Sequence, residues 1–292
     1  MDERELLAAR FEQQRSRLRG VAYRMLGSLS EADDAVQEAW IRLNRSDADA
    51  IENLNAWLTT VVARVCLNVL RSRASHREES MSGHVPEPVI DPADGTDPEH
   101  EALLADSVGL AMLVVLEMLA PPERVAFVLH DMFAVPFDEI AGILDRSPDA
   151  TRQLASRARR RVRGAQPTTD PDLAVQRQAL EAFLAAARDG DFEALVSVLD
   201  PEVVLRADQG RAGGFREVRG SREVASQAMH FARQDITVRI VRVNGTIGGI
   251  TLLHGRPIAV TGLTVRDRRI TEIDIMADPQ RLERLDLSAL DG

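Results

Sequence analysis

A chain of 292 residues is long enough for two or three domains, each with its own core. With 45% hydrophobic and 28% charged residues it has ordinary globular composition, and an aromatic share of 4% leaves the cores to Leu, Val, Ile and Ala. The single cysteine, Cys66, excludes an internal disulfide. The charged start Met1-Asp-Glu-Arg-Glu5 lacks a signal-peptide core and no apolar run is long enough for a bilayer, so a soluble cytoplasmic protein without membrane association is expected.

The net charge of −10 is blocked along the chain, and all 36 basic residues are arginine. Residues 1–80 mix 12 Arg with 13 acids, residues 81–120 hold eight acids and no Arg, and residues 151–163 hold six Arg and no acid. Such a local reversal in an acidic chain marks residues 151–163 as a candidate anion-binding face.

Up to about residue 165 the apolar periodicity is helical. A helix over Ser30–Leu43 buries Val36, Ala39, Trp40 and Leu43 and leaves Asp33, Asp34, Gln37, Glu38, Ile41 and Arg42 outside. Acids in the first turn suit the helix dipole, and the same face could equally dock a basic protein. A helix over Asn53–Arg73 follows, with Leu54, Leu58, Val61, Val62, Val65 and Val69 as its core stripe. The opposite stripe is Asn53, Trp57, Thr60, Arg64, Asn68 and Arg71. An aromatic, amides and arginines on one face can stack and hold unpaired bases, or rest in water. Residues 81–105, rich in Pro, Gly and acid, read as an acidic interdomain linker.

Residues 106–165 form a second helical module. Within it, Val135–Val162 reads as two short helices joined by a tight turn, with Ser147 as N-cap and Pro148 at the first helical position. Ile140, Ala141 and Leu144 pack the first helix. In the second, Leu154, Ala158 and Val162 form the buried stripe. This is the pattern of a helix-turn-helix reader of duplex DNA. Arg152 and Gln153 in the first turn can reach base edges, while Ser156 and the later arginines Arg157, Arg159, Arg160 and Arg163 meet phosphate or solvent.

Beyond a second break at Gly164–Pro171, residues 167–292 read as α+β. Helices over Leu173–Arg188 and Asp191–Leu199 precede strands at Glu202–Ala207, Ile236–Val243, Thr246–Leu253, Pro257–Val265 and Ile270–Met276. Asn244-Gly245, His254-Gly255 and Asp267-Arg268 serve as hairpin turns. Asp208, His230 and His254 could line a cavity there. No Gly-rich phosphate loop or His/Cys metal spacing occurs, so no catalytic residue, metal or cofactor is expected.

These residues carry a family resemblance. Phe11–Leu43, with Ala22-Tyr-Arg-Met-Leu-Gly27 and Asp33-Asp-Ala-Val-Gln-Glu-Ala-Trp40, resembles region 2 of a bacterial RNA polymerase sigma factor of the extracytoplasmic-function type. Leu119-Ala-Pro-Pro-Glu-Arg-Val-Ala-Phe127 through Val162 resembles region 4. The tail resembles a SnoaL-like, NTF2-like domain, and the three-part order resembles the sigma-J type. Related chains carry Trp-Leu-Pro-Glu-Pro where this one has His84-Val-Pro-Glu-Pro88, and two tail motifs have loose counterparts at Asp208–Gly214 and Asp278-Pro-Gln-Arg-Leu282. Thr151 stands where an apolar residue is common.

The resemblance implies two all-α sigma domains, a region 2 helical bundle over 1–80 and a region 4 helix-turn-helix over 106–165. An α+β cone with a curved, mostly antiparallel sheet follows over 167–292. It implies that Asp33, Asp34, Gln37, Glu38, Ile41 and Arg42 dock on the clamp helices of the largest polymerase subunit. Asn53, Trp57, Thr60, Arg64, Asn68 and Arg71 would capture the single-stranded −10 element. Arg152, Gln153, Ser156, Arg157 and Arg160 would read the duplex −35 element. The linker would thread polymerase channels. Asp208, His230, His254, Asp278 and Pro279 become candidates for a tail–core contact or a cavity. The implied partners are core RNA polymerase and promoter DNA, with regulation in cis by the tail and no separate anti-sigma factor. The alternative is a one-component DNA-binding regulator with a ligand-sensing or enzymatic tail, for which Asp208 or a histidine should point into a cavity.

Overall fold

The chain opens with three helices, α1 (Glu3–Leu26), α2 (Leu29–Arg45) and α3 (Leu54–Arg77), in a computed structural model that describes residues 3–46, 51–77, 84–95, 100, 109–164, 169–232 and 235–287. Gly27 at φ +69° ends α1, and Ser28 caps α2 by accepting from the Glu31 amide. The helices bury Leu18, Val21, Tyr23 and Leu26 of α1 against Ala32, Val36, Ala39 and Leu43 of α2. Trp40 is half-buried against the Phe11 ring, with centroids 4.9 Å apart. In α3 the expected stripe is rotated. Leu58, Val61 and Val62 are buried, but Leu54, Val65 and Val69 are only half-buried, and Ala63, Cys66, Leu67 and Leu70 take the inner face. The reason is that α3 packs against several helices at once, so its buried arc is wider than one neighbour would dictate.

The second module comprises α4 (Leu110–Glu117), α5 (Pro121–Phe127), a π-helical turn (Val128–Met132), α6 (Phe137–Leu144) and α7 (Pro148–Gly164). Helix α6 ends on Asp145 in the left-handed conformation, φ +53°. Ser147 then starts α7, its hydroxyl accepting from the Ala150 amide at 3.2 Å. The α7 stripe is Thr151, Ala155, Ala158 and Val162, with Leu154 at its half-buried edge. Thr151 is fully buried at no polar cost, because its hydroxyl donates to the Ser147 carbonyl at 3.0 Å.

Two compact units result. Residues 1–81, 101–106 and 115–165 form the first; residues 82–100, 107–114 and 166–292 form the second. The second holds α8 (Leu173–Asp189), α9 (Phe192–Val198) and α11 (Ser221–Ala232), with single turns α10 (Gly210–Gly213) and α12 (Pro279–Leu282). Its strands are β1 (Ile90–Pro92), β2 (Leu199–Asp208), β3 (Phe215–Arg219), β4 (Ile236–Val243), β5 (Thr246–Leu253), β6 (Arg256–Arg266) and β7 (Arg269–Met276). They form one sheet in the order β1-β4-β5-β6-β7-β2-β3, antiparallel throughout except for β2 beside β7. The three predicted hairpin turns all have positive φ at both central residues, as type I′ turns require.

One sheet face is covered by α8, α9 and α11, around Leu180, Leu195, Leu205, Val218, Val224 and Ile273. The other is covered by part of the expected linker and by the start of α4. Val85, Ile90, Leu110 and Val114 pack there with Val241, Val243, Met276 and Leu282. So the expectation of a free linker over 81–105 is corrected for residues 84–95. Strand β1 joins the sheet edge, with Ile90 opposite Val243 and Pro92 opposite Val241. Pro86, Pro88 and Pro92 have no N–H, which confines such a segment to an edge. The sheet is shaped to receive the start of α4: a Cβ on Gly262 would lie 2.8 Å from Leu110 Cδ2.

Candidate polymerase, promoter and clamp surfaces

The exposed side of α2 carries Asp33, Asp34, Gln37 and Arg42, with Glu38 and Ile41 half-exposed beside them. Asp33 pairs with Arg19 at 2.7 Å and Glu38 with Arg42 at 2.8 Å, so the acids are held in place while still facing solvent. On α3, Asn68 and Arg71 are exposed, and Trp57 and Thr60 are half-buried. Asn53 accepts from the Ala56 amide at 3.1 Å and so caps the helix. Arg64 is committed elsewhere: its guanidinium donates to the Gly142 carbonyl of α6 at 3.0 Å.

That bond belongs to a closure between the two helical modules that sequence patterns did not reveal. Arg124 of α5, 2% exposed, donates to the Met25 carbonyl at 2.8 Å and to Glu117 at 2.7 Å. Arg24 and Arg17 lie over the Phe133 ring. On α7, Arg159 pairs with Asp131 and Arg161 with Glu123, while Arg152 pairs with Asp149 and covers Phe137. Gln153, Ser156, Arg157 and Arg160 are exposed. Among the described residues, Arg157, Arg160 and Arg163 form no ion pair.

In the second unit the tail candidates separate into two groups. Asp208 sits at a clamp on residues 84–89, and Asp278 and Pro279 start the single turn that carries its partner Arg281. Asp208 accepts from the Val85 amide at 3.1 Å, from Arg281 at 2.9 Å and from the Gly210 amide at 3.0 Å, with His84 Nδ1 at 3.2 Å. Asn244 closes the other end, accepting from the Val89 amide at 3.1 Å and donating its own amide to the Val89 carbonyl at 2.8 Å. Asp278 caps α12, with Pro279 following, and its carboxylate approaches Gly210 so closely that a Cβ there would lie 2.6 Å away. Burial pushes the Asp208 carboxyl up, but the hydrogen bond and charge of His84 and the Gly210 and Val85 amides outweigh it and hold it below its usual value. A depressed carboxylate stabilises the fold above its ordinary pKa of about 3.9 and loses that contribution as pH falls below it.

His230 and His254 join neither this clamp nor each other. His230 is exposed on α11, edge-on to Phe231, and His254 is exposed in the β5–β6 turn. The reading of Asp208 as a cavity residue is corrected too. It alternates with Leu205 and Ala207 along β2, and those two line the tail cavity while Asp208 faces the opposite side. Among the described residues, no acid, histidine or cysteine lines that cavity. Among the described residues, no His/Cys/Asp/Glu group could hold a metal, and no helix is long and apolar enough to cross a membrane.

Two helical modules in this order, one with an exposed acidic helix face and one with a helix-turn-helix, define a protein of the sigma-70 type. Residues 10–76 match Sigma-70 region 2, and residues 110–162 match Sigma-70 region 4. The ECF RNA polymerase sigma factor SigJ of Mycobacterium tuberculosis is 42% identical over 289 residues, covering 93% of this chain and 91% of that protein. The probable ECF RNA polymerase sigma factor SigI of the same organism is 32% identical over 292 residues, covering 98% of each. The crystal structure of M. tuberculosis SigJ matches with a TM-score of 0.77 at 36% identity, covering 96% of this chain and 99% of that one. The chain belongs to the extracytoplasmic-function family of RNA polymerase sigma factors, with an NTF2-like α+β domain behind region 4. Sigma factors bind core RNA polymerase and promoter DNA to initiate transcription, and the family is not enzymatic.

Proposed function

We propose that the tail regulates this sigma factor in cis by holding the segment that joins region 2 to region 4. The observation that carries the reading is the clamp: Val85 and Val89 are tied by Asp208 and Asn244, and β1 is paired into the tail sheet. The −10 and −35 elements lie about 25 base pairs apart, or ~85 Å at about 3.4 Å per pair. The residues between Arg77 and Val115 could span roughly 120 Å when extended. About half of them are held on the tail, which shortens that reach. The closure through Arg64 and Arg124 likewise opposes separation of the modules. Release of the segment would therefore favour simultaneous engagement of both promoter elements, and a separate anti-sigma factor is not required.

In the engaged state the α2 face of Asp33, Asp34, Gln37, Glu38, Ile41 and Arg42 docks on polymerase. The α3 stripe from Asn53 to Arg71, with Arg64 freed, holds the −10 strand. Helix α7 reads −35 through Arg152 and Gln153, with Ser156, Arg157 and Arg160 anchoring it.

Asp208→Ala combined with Asn244→Ala tests the clamp. Each loss leaves a buried amide without its acceptor, a cost of about 1–3 kcal/mol. Amide hydrogen exchange at Val85 and Val89 should accelerate by roughly tenfold or more, and promoter-dependent transcription with core polymerase should rise severalfold. Faster exchange with unchanged transcription would sink the regulatory reading.

The promoter assignment has its own check. Arg157→Ala with Arg160→Ala should weaken holoenzyme–promoter binding on all sequences and reduce the salt slope by about two. Gln153→Ala should instead relax preference at one −35 position. A double arginine variant with an unaltered salt slope would refute the phosphate role.

A further inference from the structure

On the helical face of the tail sheet a cavity of about 520 Å³ lies beneath α8 and α11. Leu180, Leu205, Leu263 and Ile273 form its buried floor, and Phe231, 47% exposed, stands at its mouth. Among the described residues its charged and amide groups are Arg188, Arg216, Gln209 and Gln227, with the hydroxyls of Thr237, Thr251 and Thr261 as the other polar side chains. Arg216 lies directly across from Ala207 in the β2–β3 pair, so both face the cavity, and Gln209 follows at the end of β2. Helix α11, which carries Gln227, packs on the same two strands, so Gln209, Arg216 and Gln227 gather at one end. Arg188 closes α8 at the rim.

Three features define the ligand chemistry. First, among the described residues two guanidinium groups face a lining without a carboxylate, and neither Arg188 nor Arg216 forms an ion pair. Second, the Gln227 amide nitrogen is buried with no acceptor among the described residues, a donor whose desolvation costs about 1–3 kcal/mol until an acceptor meets it. Third, the remaining wall is mostly aliphatic and aromatic, interrupted by Thr237, Thr251 and Thr261, and the volume lies within the range of small-molecule sites. At ~30 Å³ per water-sized group, it accommodates on the order of 15–20 non-hydrogen atoms.

We propose that this cavity binds an organic carboxylate with an extended apolar body. The body lies on the Leu205–Leu263–Ile273 floor and the carboxylate is met by Arg216 and the two amides. The claim concerns binding alone and stands whether or not the clamp regulates transcription.

Dodecanoate and 4-butylbenzoate serve as probes against the full chain, below their aggregation thresholds, with dodecanol and dodecylammonium as comparisons. Calorimetric titration should give saturable one-site binding of at least one carboxylate, about tenfold tighter than dodecanol, since a charge-assisted contact is lost with the alcohol. Dodecylammonium should bind weakest. Arg216→Ala, at an exposed position, should weaken carboxylate binding about tenfold and leave dodecanol unaffected. Gln227→Leu, which keeps the volume, should weaken it by a smaller factor. Ala228→Phe, filling the cavity, should abolish binding of acid and alcohol alike, with circular dichroism confirming that the tail is folded. Equal binding of all amphiphiles, binding indifferent to these substitutions, or no binding of either carboxylate overturns the proposal.

Discussion

Replacing Arg206 by alanine is expected to lower the unfolding free energy of the second unit by about 3–5 kcal/mol at neutral pH, because it strips the cation from the buried carboxylate of Asp274 and from Glu272. Arg206 stands on β2 opposite Asp274 of β7 and Glu217 of β3, so all three side chains share one face. Its guanidinium lies 2.7 Å from Glu272, 3.0 Å from Asp274 and 3.6 Å from Glu217. One cation thus serves three carboxylates. Burial pushes Asp274 up, Arg206 opposes it, and the remaining acids add to it, leaving Asp274 at about 6. A carboxyl raised on folding favours the protonated native state. Its contribution is therefore most favourable below the ordinary pKa near 3.9 and is lost as pH rises through about 6. Urea unfolding should show the wild-type unit gaining stability between pH 7.5 and pH 5, with Asp274→Asn abolishing much of that gain. Arg206→Ala should gain more over the same interval, since Asp274 then lacks its cation. A loss below about 1 kcal/mol at both pH values would mean that the cluster does not hold the strands together.

The second large effect is expected from Arg124→Ala, again about 3–5 kcal/mol, this time in the first unit. The Arg124 and Glu117 side chains are 3% and 6% exposed, so removing the cation leaves a carboxylate in a dry site. The Met25 carbonyl loses its donor as well. Because Arg124 joins the end of α1 to α5, the cost falls on the contact between the two promoter modules. Amide exchange should accelerate around Tyr23–Leu26 and Val125–Leu129, while the interior of α7 changes less. Arg64→Ala is the control. Its bond to Gly142 is exposed, and its loss should cost less than about 1 kcal/mol. Equal effects of the two substitutions would refute the assignment of the closure to the buried pair.

What the chain reveals on inspection follows from how local each signal is. The Asn244-Gly245, His254-Gly255 and Asp267-Arg268 turns are legible because two adjacent residues determine a type I′ turn. The Ser147 cap and the arginine face of α7 are legible for the same reason. Strand β1 is not, since three residues around a proline carry no periodicity and their partner β4 lies far along the chain. Strand β3 and helix α11 were also missed. Phe215–Arg219 is short and mostly charged, and α11 follows it after a single glycine. The inner face of α3 escaped by rotation, with Val65 and Val69 displaced by Cys66, Leu67 and Leu70. Asp208, Asp278 and Pro279 are visible as residues, but the hold of Asp208 on Val85 and the placing of Arg281 beside it depend on a strand end and a helix cap meeting in space. The cavity was beyond reach, because its walls come from helices and strands scattered over the whole tail.

The order of the clamp's parts along the chain sets an order in time. Val89 precedes its partner Asn244 by 155 residues, so at about 5–20 residues per second the ribosome releases it roughly eight to thirty seconds earlier. Once residue 165 has been added both helical modules have been synthesised, but no tail sheet yet exists to receive the segment between them. Val85, Val89 and Ile90 wait uncovered, with Pro86, Pro88 and Pro92 set among them to discourage pairing with other chains. Each newly made molecule passes through an interval in which region 2 and region 4 are present and their tether is still loose.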